Sequence, residues 1–330
     1  MKITSIIDII DGKLLNSPSI SFIYSFKTNV SKVKEGDLFI AYNLDDIQIA
    51  IQKGAFAIIL QNLYPIIDKE IAWIKVDNIE TSLIKLVRYK LAHFNLQAFY
   101  CNDVSYEFFK TFSSSSNKKV KLIPTSFKKF VSVLEDIDTE TILVSNDKQI
   151  LNKIYPNNTN FEKEDFLISN LLEHSLFEVS FTFKNKYFQR IKIPSIYLEY
   201  FIRVYDFLNI NEFDDSKLRN SNLLRTLFLD KNLNIVEFGK SDKFVITSNN
   251  ISLVEKEIDY LKSKFTYGKI IYITSSYIDF LPKEQILLKD ISKLRDTLKN
   301  NSFNASYIIG YEFEKIQQIL SKEEKELTLF

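Results

Sequence analysis

Few side chains in this chain could do chemistry, and they are thinly spread. Cys101 is the lone cysteine, just past an apolar run at 96–100. A thiolate at a helix N-terminus can be reactive, but no His or Lys adjoins Cys101 and Asp103 opposes its ionisation. Glu135, Asp136 and Asp138 form an oxygen-rich cluster of the kind that holds Mg²⁺; with no phosphate grip beside it, it reads as a solvated surface. His93 and His174 are the only histidines. His93 ends a helical pattern, where a cation suits the helix C-terminus; His174 lies in a segment that reads as a loop. Ser248-Asn249-Asn250 is a good N-cap cluster for a following helix. These residues nominate no catalytic group, no metal ligand and no cofactor site.

Aromatic side chains are a second kind of candidate. With 28 Phe and 17 Tyr the load is high, and it concentrates at 187–207. The pattern at 195–208 is apolar nearly all round, so that helix is buried on several sides or covers a partner. Tyr197, Tyr200, Phe201 and Tyr205 are therefore interface candidates, since aromatics anchor interfaces. A helix wedged inside the same chain is the alternative.

The elements that must position these groups follow from periodicity. Strands are expected at 37–42, 56–60, 71–76, 96–100, 141–145, 233–238, 244–247, 269–274 and 305–309. Helices are expected at 46–53, 79–94, 106–112, 195–208, 252–265, 283–300 and 312–322, with another from Asp147. Gly54 should stop the first of these. Residues 177–183 and 187–193 alternate with period two about Lys184-Asn185-Lys186, which predicts a hairpin. Strands alternating with helices imply parallel βαβ units. The charge run at 322–326 reads as a solvated face.

Composition excludes several classes. A chain of 330 residues has room for two or three domains. Net charge is +1, from 43 basic and 42 acidic side chains, which gives no general pull toward nucleic acid. No run of 18 uncharged apolar residues offers a membrane span. The first residues carry Asp8 within their apolar run and do not read as a signal peptide. One cysteine permits no internal disulfide and fits a reducing cytoplasm.

Three stretches carry a family resemblance: Lys32-Val33-Lys34-Glu35-Gly36-Asp37-Leu38-Phe39-Ile40-Ala41, Ala50-Ile51-Gln52-Lys53-Gly54-Ala55, and Trp73-Ile74-Lys75-Val76-Asp77-Asn78. They resemble the N-terminal domain of the Mur ligases, which build the peptide stem of bacterial cell-wall precursors, and especially the branch that adds D-alanyl-D-alanine. The resemblance implies an α/β protein in three parts: an N-terminal α/β domain at 1–95, a shortened central α/β domain with a late hairpin at 96–210, and a Rossmann-like domain at 211–330. It also implies ATP, Mg²⁺ and UDP-sugar sites, and here the sequence departs from the family. The next strand should end in a Gly-rich run with Gly-Lys and a Ser or Thr. It reads Cys101-Asn102-Asp103-Val104-Ser105-Tyr106. A phosphate loop needs Gly for close approach, Lys for charge and a hydroxyl for Mg²⁺. Asp103 brings the wrong charge, Val104 and Tyr106 bring bulk, and Lys110 comes too late.

The other family sites are eroded as well. The family's Ser-Thr-Asp-Ser-Arg cradle for the UDP-sugar becomes Lys27-Thr28-Asn29-Val30-Ser31, so Thr28 is kept while Asn29 and Ser31 replace the acid and the Arg. Losing Arg removes a bidentate phosphate partner. Gly36-Asp37 is equally explained as a strand entrance. Glu173-His174 falls near the family's Mg²⁺ ligands, although a satisfied surface pair explains it too. Asn249 and Asn250 echo the loop that meets the incoming amino acid. What the resemblance leaves is a pseudoenzyme: a cytoplasmic binding or scaffold protein with a protein partner, beside the cell-wall precursor enzymes, with no nucleic acid and no membrane span. The alternatives are an ATP-dependent amide ligase for a UDP-MurNAc peptide with an atypical nucleotide site, and a binder of small molecules.

Overall fold

The computed structural model describes residues 1–124, 126–134, 137–161, 166–210, 212–221, 223–281 and 285–321. The chain divides into two compact units, Met1–Glu164 and Asp165–Phe330.

The first unit holds two sheets. The N-terminal sheet has five strands in the order Lys13–Leu14, Ala72–Lys75, Ala57–Leu60, Leu38–Ile40, Phe26–Lys27. All pairings are parallel except that of the Lys13–Leu14 edge. A parallel sheet must be covered on both faces, and alternation along the strands supplies two apolar faces. Leu38, Ile40, Ala57, Ile59, Ala72 and Ile74 share one cluster with Leu83, Leu86 and Val87 of the Ile79–Leu91 helix. Phe39, Ile58, Leu60 and Trp73 share another with Ile47 and Ala50 of the Asp46–Gln52 helix. Gly54 ends that short helix at φ +84, a region other residues enter only with strain.

The central sheet has four parallel strands in the order Val120–Leu122, Ile142–Ser145, Gln97–Tyr100, Thr159–Asn160. It shares the first cluster: Ala98, Leu143, Leu151 and Ile154 pack with the residues of the N-terminal sheet. The Ile79–Leu91 helix therefore serves one hydrophobic core built from both sheets.

The second unit also holds two sheets. Ile168–Ser175, Glu178–Phe183 and Lys186–Ile191 form an antiparallel meander whose last two strands are the expected hairpin. Lys184 turns it at φ +53. The six-stranded sheet runs Ile235–Val236, Arg225–Leu229, Lys243–Ser248, Ala305–Ile309, Ile270–Thr274, Gln285–Leu287. The first two pairings are antiparallel and the other three parallel.

Three expectations change. The segment before the hairpin, read as a loop, is the edge strand Ile168–Ser175, nearly all of it exposed; half-exposed polar edges lack the apolar alternation that marks a strand. The strand expected at 233–238 shrinks to Ile235–Val236, and its neighbour is Arg225–Leu229. The helix expected at 283–300 gives way at its start to the edge strand Gln285–Leu287, which pairs with Ile270–Thr274, and is helical only at Leu294–Lys299 after a turn at Ile291–Lys293; residues 282–284, 322–330, Glu135 and Asp136 lie outside the described residues.

Leu86 is fully buried in the shared core. Leu86→Ala should lower the unfolding free energy by about 2–5 kcal/mol, as buried Leu truncations do. Denaturant titration followed by fluorescence of Trp73, the chain's one tryptophan and a residue of the same unit, measures it.

Candidate functional site

In open parallel sheets ligands bind beyond the carboxyl ends of the strands. In the central sheet this place is the junction from Gln97–Tyr100 into the Asp103–Phe112 helix, joined by only Cys101 and Asn102. Two residues are too few for a loop that wraps a phosphate. The Asn102 side chain accepts from the Ser105 amide at 2.8 Å and caps the helix. Asp103 accepts from the Asn146 side chain at 2.8 Å, tying the junction to the end of the neighbouring strand. Cys101 is fully buried, and its amide donates to the Ser145 carbonyl at 2.9 Å. Val104 is buried too. The Tyr106 hydroxyl donates to the Ile123 carbonyl; burial first, then Cys101 and Glu107, pushes it up to about 12. Lys110 sits within the helix, 3.5 Å from Glu107. Helix N-termini favour anions because their amides are unpaired; here a side chain already takes one, and a carboxylate stands beside it.

The N-terminal cradle is likewise turned inward. Asn29 accepts from the Ser31 amide at 2.9 Å and the Ser31 hydroxyl at 2.8 Å, closing one exposed turn, and Lys53 donates to the Ser31 carbonyl at 2.8 Å. Thr28 precedes this turn, half-buried. Gly36 takes φ +87, and buried Asp37 accepts from the Lys34 amide at 3.0 Å, which is the geometry of a strand entrance.

In the second unit Asn250 accepts from the Ser252 amide at 3.0 Å and the Ser252 hydroxyl at 2.7 Å, as the N-cap of the Ile251–Lys264 helix. Asn249 is exposed beside it. Glu173 and His174 stand on the edge strand, where the pairing with the next strand shifts register between Glu173 and Ser175, and their side chains meet different partners. Glu173 pairs with Lys264 at 2.7 Å, and His174 meets the Ser180 hydroxyl at 2.7 Å. Asp138 is engaged by Lys119 at 2.7 Å and Thr141 at 2.9 Å. No cluster of three metal-ligating residues exists among the described residues. No helix among them is long and apolar enough to cross a membrane.

These junctions sit within a recognisable whole. The structure superimposes on MurF from Acinetobacter baumannii with a TM-score of 0.55 at 10% identity, covering 97% of this chain and 99% of that one. It matches MurF ligase from Thermotoga maritima, solved in complex with ADP, with a TM-score of 0.52 at 15% identity, covering 90% and 97%. The chain has a Mur-ligase-like fold. No protein-family model matches the sequence, and no curated protein matches it.

Within this Mur-ligase-like chain the aromatic helix is Leu198–Leu208, entered by a turn at Ser195–Tyr197. Tyr197, Phe201 and Tyr205 are buried and Tyr200 is half-buried. Phe201 and Tyr205 pack on Phe188 at 6.1 and 5.2 Å between ring centres, and Phe188 stacks on Phe181 at 4.7 Å. Lys256 donates to the Tyr200 hydroxyl at 3.0 Å. Tyr200, Phe201 and Tyr205 thus lie on the helix and Tyr197 on the turn that enters it, and Tyr197, Phe201 and Tyr205 are spent on the unit's own interior.

Tyr197 also reveals a group that sequence reasoning passed over. Its hydroxyl and that of Tyr307 both donate to Glu257, which is 1% exposed. An acid in register with Val254, Ile258 and Leu261 on the helix's apolar stripe was the available signal. Burial raises the Glu257 carboxyl above its ordinary value of 4.5, against the hydrogen bonds from Tyr197, Tyr307 and Ser248 that lower it. A raised folded-state value means the folded protein holds the proton more tightly. The group's stabilising share is then complete below 4.5 and lost as pH rises through the folded-state value. Glu257→Gln should therefore remove a component of unfolding free energy that declines with rising pH. Denaturant titrations of both proteins across a pH series read it as the difference between two curves.

Proposed function

We propose that this chain is a non-catalytic Mur-ligase-like protein, a pseudoenzyme that works as a cytoplasmic binding or scaffold protein beside the enzymes of cell-wall precursor synthesis. Residues 1–95, 96–210 and 211–330 correspond in this proposal to the ligase's three domains, the middle one reduced. One observation carries it. At the strand-to-helix junction where a ligase grips ATP, this chain has a two-residue turn, an Asn102 cap and the Asp103–Asn146 hydrogen bond. Phosphoryl transfer is almost entirely positioning and charge neutralisation, and a carboxylate at that point opposes both. The balanced net charge gives no general attraction to nucleic acid, so the partner in this proposal is a protein.

A second reading, binding of a small molecule, is favoured by a cavity of about 630 Å³ in the second unit. Lys192, Arg225, Phe177, Phe238 and Phe313 line it. Arg225 lies 3.6 Å over the Phe313 ring and Lys192 4.6 Å over that of Phe238.

Thermal unfolding with Mg-ATP, alone and with a UDP-MurNAc peptide, tests the leading reading. A ligand at a hundred times its Kd adds about 2.7 kcal/mol, a rise of several degrees for a chain of this size. The expected result is no shift with either. A shift together with peptide-dependent ADP release would instead establish an amide ligase with an atypical nucleotide site.

A further inference from the structure

One face of the Ile251–Lys264 helix joins two layers of the second unit. Lys256, Tyr260 and Lys264 recur every four residues with Glu257 beside them, so all four share that face. Each makes a bond across it. Lys256 donates to the Tyr200 hydroxyl at 3.0 Å. Tyr260 donates to the Leu176 carbonyl at 2.9 Å and accepts from the Ser195 hydroxyl at 3.3 Å. Lys264 pairs with Glu173 of the edge strand at 2.7 Å. Glu257, the buried acid of the face, accepts from Tyr197 on the turn into the aromatic helix. These partners all belong to the meander and the aromatic helix, so the face forms a seam against both.

Glu257 is covered on two sides. On the sheet side it meets Tyr307, whose strand is held by backbone ladders to both neighbours, and Ser248 at the end of one of them. On the seam side it meets Tyr197, which is fully buried. Among the described residues no cation acts on the carboxyl; the groups that act on it are these three hydroxyls. Tyr200 and Tyr272 stand beyond them, near Tyr197 and Tyr307 respectively. Lys256 and Tyr260 of its own helix are bonded elsewhere. Burial first, then the Glu257 charge, holds the Tyr197 and Tyr307 hydroxyls well above their ordinary value. Glu257 is therefore the first of this trio to ionise as pH rises from acid. An uncompensated charge at that point either stays buried at a cost or reaches water. The side-chain bonds of the seam give way more readily than the backbone ladders on the other side.

We propose that Glu257 is a pH-sensitive latch: protonated, it holds the turn and helix at 195–208 against the Ile251–Lys264 helix, and its ionisation lets that seam part and admit water. The opening is local, which distinguishes it from a general loss of stability. The six-stranded sheet keeps its ladders and the core on its other face, where Ile308 packs with Leu294 and Leu298. The Phe177 ring, 5.5 Å from that of Phe244, still tethers the meander to the sheet. The sign follows from the raised carboxyl: its stabilising share is complete below 4.5 and lost as pH rises through the folded-state value. The latch is thus shut in acid and released above that value.

Amide hydrogen exchange of the full chain tests this, since it reads local opening segment by segment. The full chain and Glu257→Gln are compared at each pH of a series, and the ratio of their rates cancels the chemical pH dependence of exchange itself. In the Leu198–Leu208 and Ile251–Lys264 helices the ratio should rise with pH, by up to about tenfold per pH unit above the folded-state value. In the Leu294–Lys299 helix it should stay flat. A flat ratio in the two seam helices would overturn the proposal. So would an equal rise in the Leu294–Lys299 helix, which would make Glu257 a determinant of global stability only. Tyr197→Phe is the second variant and carries the test if Glu257→Gln does not fold. It removes the bond from the helix side, and should speed exchange in the seam helices by about fivefold even in acid, the loss of one hydrogen bond. Unchanged exchange there, or the same acceleration in the Leu294–Lys299 helix, would count against the latch equally.

Discussion

Parallel sheets impose the constraint on which the first unit depends: both faces must be covered, because the inner strands are buried on both sides. The Ile79–Leu91 helix meets that need for two sheets at once. Leu83, Leu86, Val87 and Leu91 join a core that reaches from Ile3 and Ile6 through Ile59 and Ile74 to Leu143 and Leu151. Asn78 starts this helix by accepting from the Thr81 amide at 2.8 Å, and Arg88 and Lys90 end it with cations that suit its dipole. A chain could lose ligand-binding residues from its loops and still keep this core, since burial is indifferent to what the loop tips carry.

The loop tips themselves share one habit. At the strand-to-helix junctions the first free amides are taken by Asn78, Asn102 and Asn250. In a phosphate-binding protein such amides are left for the ligand. Here the helix ends are satisfied from within, which stabilises each by about 1 kcal/mol and leaves those particular donors unavailable to a nucleotide. The same economy explains Asn29 and Ser31, which bond to each other in a short turn. Side chains that read as worn ligands thus act as local structure.

The second unit shows how an aromatic-rich helix is absorbed. Phe181, Phe188, Phe201 and Tyr205 build an aromatic core from a hairpin and one helix. Tyr197 reaches Glu257 instead, and with Tyr307 it surrounds a carboxyl that water does not reach. Such a group stays inside only because each oxygen has a donor. It makes this unit sensitive to pH in a way that its surface pairs, such as Lys264 with Glu173, do not.

Much of this was legible in the sequence. Periodicity gave the Ile79–Leu91 and Ile251–Lys264 helices and the Ala305–Ile309 strand to within a few residues, because amphipathic faces are local records of burial. Gly54 was legible because positive φ selects glycine, and the turn at Lys184 because period-two alternation runs up to it and resumes beyond it. The likeness at 32–41 and 50–55 pointed to the Mur-ligase-like fold, and the missing Gly and Lys after 100 showed that the junction had changed. Other features needed tertiary structure. The edge strand Ile168–Ser175 is exposed on nearly every residue, so no alternation marks it. The Asp103–Asn146 bond joins residues 43 apart, and the gathering of the Tyr197 and Tyr307 hydroxyls on Glu257 joins separate elements. Local pattern records which way a side chain faces, whereas only the folded chain decides which distant side chains it meets there.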